Sequence, residues 1–294
     1  MGTADPIRGS VPVDALSASE TTSRGMTFGA LVPFMAIAFG LTWGIFALLI
    51  RFPEQTTAVF GPVGYTNPLF VLAVCSPAIA AFLLVWRHYG LAGVGSFLRR
   101  LTLWRMPVAW WLFLVFGVLA VFYIGAAIKG TLTDPFPFSP WYTFLPAAAT
   151  ALFIGPIEEF GWRGVAVPLP QRRLTPLWAG LILGAIWAVW HVPAFQLAGT
   201  PQSAWSLTPF LIEVTAIAVI LTPLFNAARG SLLIAALYHF QMNNPAHPYA
   251  QPWDTVIFSG LAVAIVLLNW RAMLTREAAV TSVLFPGEEY ATAR

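Results

Sequence analysis

Long uninterrupted apolar runs organise this chain. They cover residues 26–50, 69–86, 108–128, about 141–167, 176–197, 208–225, 230–242 and 253–270. A helix needs about 20 apolar residues to cross the hydrocarbon of a bilayer, and each run reaches or approaches that length. None shows the polar–apolar alternation of a membrane-spanning β-barrel strand. The pattern predicts an all-α, polytopic membrane protein of about eight transmembrane helices.

Arginine and lysine positions test the count. Eight spans put Arg8, Arg24, Arg87, Arg99, Arg100, Arg105, Arg172, Arg173, Arg229, Arg271, Arg276 and Arg294 on one side, against Arg51 and Lys129 on the other. Basic residues accumulate on the cytoplasmic side, so both termini are expected there, in a plasma membrane of bacterial type. The chain divides into a polar N-tail (1–25) without the charge-then-apolar order of a signal peptide, N-terminal helices (26–139), a region rich in candidate chemistry (140–245), and a last helix with a cytoplasmic tail (246–294). Within 95–106, Phe97, Leu98, Leu101 and Trp104 can share one helical face beside Arg99, Arg100 and Arg105. That segment is either an interfacial helix on the inner surface or an ordinary loop.

Composition agrees. Of 294 residues, 58% are hydrophobic and only 9% charged, against about 25% charged in soluble domains. A net charge of +3, with arginines beside apolar runs rather than in an aromatic-studded basic patch, excludes a nucleic-acid partner. Cys75 is the single cysteine, which excludes an internal disulfide and a cysteine metal cage.

The fourth run carries charges that a purely structural span would avoid. Glu158, Glu159 and Arg163 each cost roughly 2.5–3.5 kcal/mol to insert, and intramembrane charge points to function. Glu159 and Arg163 stand four apart with the acid first, the favoured order for an ion pair. Glu158 lies about 100° away around the helix and is left as an unpaired carboxylate, the setting of a general base. Two histidines fall in other apolar runs. His191 closes the fifth, and His239 lies in the seventh with Asn243 four residues on, hence on the same face. At about 1.5 Å per residue, Glu158, His239 and His191 lie on the order of 13, 15 and 22 Å from the cytoplasmic ends of their spans. All three therefore reach the bilayer interior. Glu213, near the far end of the sixth run, either joins them or serves structure by snorkelling.

Three ordered blocks then carry a family resemblance over roughly 140–245. They are Glu-Glu-x-x-x-Arg (Glu158, Glu159, Arg163), an aromatic four before a histidine (Trp187, His191), and His-x-x-x-Asn (His239, Asn243), the last preceded by Asn226-Ala227-Ala228-Arg229-Gly230-Ser231-Leu232-Leu233. The set resembles the CPBP family of intramembrane proteases, which includes CAAX prenyl endopeptidases and bacteriocin-processing or immunity proteins. Trp187 stands where the family usually has Phe, read here as a packing change without effect on chemistry. Asn244 adjoins Asn243, and the spacing favours Asn243. The resemblance implies peptide-bond hydrolysis, with Glu158 and His191 activating water and His239 and Asn243 forming an oxyanion hole. Glu159, Arg163 and Trp187 support them.

Other readings stay open. Glu158, His191 and His239 are also a candidate two-His, one-Glu zinc set, although no His-Glu-x-x-His motif is present; the metal-free glutamate-type site is preferred. The expected partners are the bilayer and a peptide or protein substrate in the membrane, lipidated or not. A non-enzymatic immunity or peptide-binding scaffold would keep its function without Glu158. A proton-coupled transporter would show related halves, and no internal repeat is visible.

Overall fold

The computed structural model describes residues 25–288. The N-tail expectation falls on residues that lie almost wholly outside that range. The described chain is helical, without strands, and is an integral membrane protein. Among the described residues, five helices are long and apolar enough to cross a membrane, and 232–242 and 253–268 are shorter apolar helices. The principal helices are α1 (Leu31–Arg51), α2 (Ser76–Arg99), α3 (Val108–Lys129), α4 (Phe144–Phe153), α5 (Pro176–Trp190), α6 (Leu207–Ala227), α7 (Leu232–Met242) and α8 (Trp253–Leu268).

Without a water-driven hydrophobic effect between them, membrane helices associate by close packing over small residues. The pair α5–α6 does so through Gly180 and Gly184, one turn apart. A Cβ at Gly184 would lie 2.8 Å from that of Ala218, and one at Gly180 would lie 2.7 Å from the Thr222 hydroxyl oxygen. Gly125 of α3 similarly lets the start of α8 approach, since its Cβ would lie 3.3 Å from the Asp254 backbone nitrogen and 2.8 Å from the Cβ of the preceding Ala250.

The fourth apolar run is not the continuous helix its length suggested. Hydrogen bonding in α4 ends with the Ile154 amide donating to Thr150, and Gly155 then turns at φ +94°. Pro156 lacks an amide hydrogen and disfavours helical geometry in the residue before it. A 3-10 turn (Pro156–Glu158), one short helical turn (Glu159–Gly161), a π-turn (Trp162–Ala166) and Pro168–Gln171 follow. In the π-turn the Val167 amide reaches Trp162, five residues back. The local spacing of Glu159 and Arg163 survives, but Glu158 enters from a turn just after a chain break.

The 95–106 segment also differs from an amphipathic surface helix. α2 runs into it as far as Arg99 after a break at Gly90 (φ +65°), a 3-10 turn covers Arg100–Thr102, and 103–107 are not helical. Phe97 is fully buried. Arg100 is buried too, and donates to the carbonyls of Gly164, Gly230 and Val283 at 2.8–2.9 Å. Unsatisfied carbonyls at helix ends attract a buried guanidinium more strongly than the surface does.

Candidate functional site

Trp187 is the hub on which the predicted residues meet. Its indole N–H donates to Glu158 Oε2 at 2.9 Å. Its ring lies 5.6 Å from that of His191 and 5.4 Å, edge to face, from that of His239. The Arg163 guanidinium sits over the Trp187 ring, 4.4 Å from the ring centre. Glu158, Glu159, Arg163, Trp187 and His239 are all buried. Trp187 thus does more than pack: it holds the one carboxylate that helix spacing left unpaired, which a phenylalanine could not do.

His191 caps the C-terminus of α5. Its amide bonds to Ala188 in a tightened last turn, which frees the Trp187 carbonyl, and His191 Nδ1 lies 2.8 Å from that oxygen. A carbonyl only accepts, so Nδ1 carries the hydrogen and Nε2 of the neutral ring keeps its lone pair. Pro193, with no amide hydrogen, then ends the helix.

His239 is fixed by a group that sequence reasoning had given wholly to Arg163. Glu159 Oε1 lies 3.2 Å from Arg163 Nη1 and 2.7 Å from His239 Nδ1, so one carboxylate oxygen bridges guanidinium and imidazole. The Nε2 atom of His239 is turned toward Gly155. There a Cβ would lie 3.0 Å from His239 Nε2 and 2.3 Å from Asn243 Nδ2. Only a residue without a side chain brings the broken backbone this close to two convergent nitrogen donors. Gly155 was missed from sequence, although Gly-Pro before the acidic pair signals a break.

Glu158, Trp187, His191, His239 and Asn243 line one cavity of about 760 Å³. Glu213 lines it as well and accepts from the Thr255 hydroxyl at 2.8 Å. Tyr65 stands in its wall; burial, and then the charge of Glu158, push its hydroxyl above the ordinary range.

The zinc-set expectation gains no support from this arrangement. Among the described residues no three His, Cys, Asp or Glu side chains are placed to hold a metal ion.

Comparison with known proteins meets the site at the same place. Residues 139–244 match the family model of the type II CAAX prenyl endopeptidase Rce1-like proteins. A CAAX prenyl protease 2 of Methanococcus maripaludis is 28% identical over 163 residues, which cover 52% of this chain and 59% of the relative. The chain thus spans about three fifths of that relative's length. Both matches and the three motif blocks fall on the same region, and over 139–244 the chain is similar to the type II CAAX prenyl endopeptidase Rce1-like proteins.

Proposed function

We propose that the chain is an intramembrane endopeptidase that hydrolyses a peptide bond of a membrane-associated protein or peptide. The observation that carries the reading is the convergence of Glu158, His191, His239 and Asn243, from three separate stretches of chain, on one cavity. In this reading a water lies between the Glu158 carboxylate and His191 Nε2. Glu158 removes one of its protons, and the water oxygen bonds to the peptide carbonyl carbon. The oxyanion accepts hydrogen bonds from His239 Nε2–H and from the Asn243 amide. With Glu159 bonded to Nδ1, the doubly protonated ring has a counter-charge at hand. The C–N bond then breaks, and the proton held by Glu158 goes to the leaving amine. The products are a carboxylic acid and an amine, which leave as carboxylate and ammonium once the acid's proton passes to the amine.

The family match and the named relative support a peptide substrate; its lipidation and the cytoplasmic placement of both termini belong to the same proposal. Among the described residues no serine or cysteine lines the cavity, which supports attack by water rather than by a side chain.

The test is incubation of the purified protein in lipid with a library of quenched-fluorescent membrane peptides, beside the Glu158→Gln variant and with and without chelator. Cleavage should fall at least about 100-fold in Glu158→Gln, the lower range for a general base, with unchanged thermal unfolding. A variant that cleaves at the parental rate would sink the proposal and leave the binding scaffold.

A further inference from the structure

The two ends of the helical bundle are built differently. Arg99, Arg100, Arg105, Arg172, Arg173, Arg229 and Arg276 gather at one end with the starts of α1, α3 and α5 and the close of α6. That end is sealed. Arg100 ties the carbonyls of Gly164, Gly230 and Val283 together. Arg172 donates to Thr281, Gln171 to Val280, and Arg276 to Arg172. Val283 and Leu284, in the same C-terminal segment as Val280 and Thr281, are fully buried.

The opposite end holds the mouth of the cavity. Its wall reaches Tyr65, Thr143, Gln202, Trp205 and Tyr249, all from connections or helix starts at that end. Lys129, at the end of α3, bonds to the Gln251 carbonyl there. None of the sealing residues lines the cavity.

Basic residues mark the cytoplasmic face. We infer that the cavity takes its substrate from the non-cytoplasmic side of the membrane, and that the substrate is an internal, neutral or cationic peptide segment. The second half rests on the wall. It carries the carboxyl groups of Glu158, Glu213 and Asp254 and, among the described residues, no lysine or arginine. Three carboxyl groups in the wall outnumber the one ammonium at the mouth, that of Lys129, which bonds to Gln251 and lies over the Tyr249 ring, so the wall favours a peptide bearing arginine or lysine over one ending in a free carboxylate. The inference rests on the proposed hydrolysis for its product, and on geometry alone for the direction of access.

Two measurements separate those dependencies. In a Cys75→Ala background, Asp134→Cys marks the mouth end, Glu277→Cys the sealed end and Gln202→Cys the cavity. A membrane-impermeant maleimide applied to intact cells should label the first and third and spare the second. Labelling of Glu277→Cys alone would overturn the inference whatever the enzyme does. In proteoliposomes sorted by orientation, quenched C-terminally amidated peptides carrying two arginines are then added outside. Vesicles with the mouth outward should cleave them at the rate seen after detergent, and inverted vesicles only after detergent. Inverted vesicles that cleave without detergent would contradict the direction of access. The same peptides with a free carboxylate should be cleaved at least about tenfold more slowly; an equal or faster rate would contradict the substrate class. Absence of cleavage even in detergent would sink the hydrolytic reading, while the labelling pattern still decides the direction of access.

Discussion

The sixth and fourth stretches are both apolar over most of their length, yet they have opposite architecture. α6 runs 21 residues without a break, even with Pro223 inside it, and is locked to α5 over Gly180 and Gly184. The stretch from α4 to Gln171 is broken at Gly155, tightens into 3-10 geometry and loosens into a π-turn within a dozen residues. In a bilayer, backbone that leaves the helix must be buried in protein or line a wet cavity. The fourth stretch meets that condition, because its break lies against His239 and Asn243 at the cavity wall. The regular pair supplies rigidity, and the broken segment supplies two carboxylates at angles a straight helix cannot offer.

The largest effect that separates the two should come from Gly155→Ala. Its backbone sits at φ +94° and its new methyl would occupy the space of the Asn243 amide. Loss of one oxyanion donor costs on the order of 100-fold or more in rate, so kcat for the best library peptide should fall by about that factor. Thermal unfolding should move less than in the next variant. A parental kcat would show that the break does not shape the site.

Gly184→Val attacks the scaffold instead. Its side chain would collide with Ala218 and the Thr215 backbone, and overpacking costs about 1–3 kcal/mol. Denaturant unfolding in detergent should report that loss, with peptide turnover per folded molecule nearly unchanged. A stable Gly184→Val with lost turnover would reverse the division of labour.

The smallest effect belongs to the hub. Trp187→Phe keeps the ring and removes the N–H that holds Glu158. A hydrogen bond of that kind is worth about 0.5–1.5 kcal/mol, so kcat should drop roughly 2–10-fold. An unchanged kcat would return Trp187 to a packing role.

Much of this was legible in the chain. Apolar run length gave the helices, and the Glu159–Arg163 spacing gave an ion pair that is present at 3.2 Å. Clustering of Glu158, His191, His239 and Asn243 followed from polar residues in oily runs and from the motif blocks. What the sequence hid was three-dimensional. Spacing along one helix cannot reveal that Glu159 Oε1 also reaches His239, 80 residues away. Nor can it show that an indole replaces a phenyl ring in order to donate to a carboxylate. The continuous fourth helix failed because length was weighed above the Gly155-Pro156 pair. For 95–106 the spacing leaves an interfacial helix and a loop both open, and it cannot show that Arg100 finds three buried carbonyls contributed by distant segments.

The central claim is that separate side chains act as one hydrolytic unit, and single-turnover cleavage by combined variants tests it most directly. Groups that act together lose their effect together rather than multiplicatively. Glu158→Gln, His191→Ala and the double variant should therefore all fall to nearly the same residual rate. Losses that multiply in the double variant, or a single variant that retains the parental rate, would contradict the account.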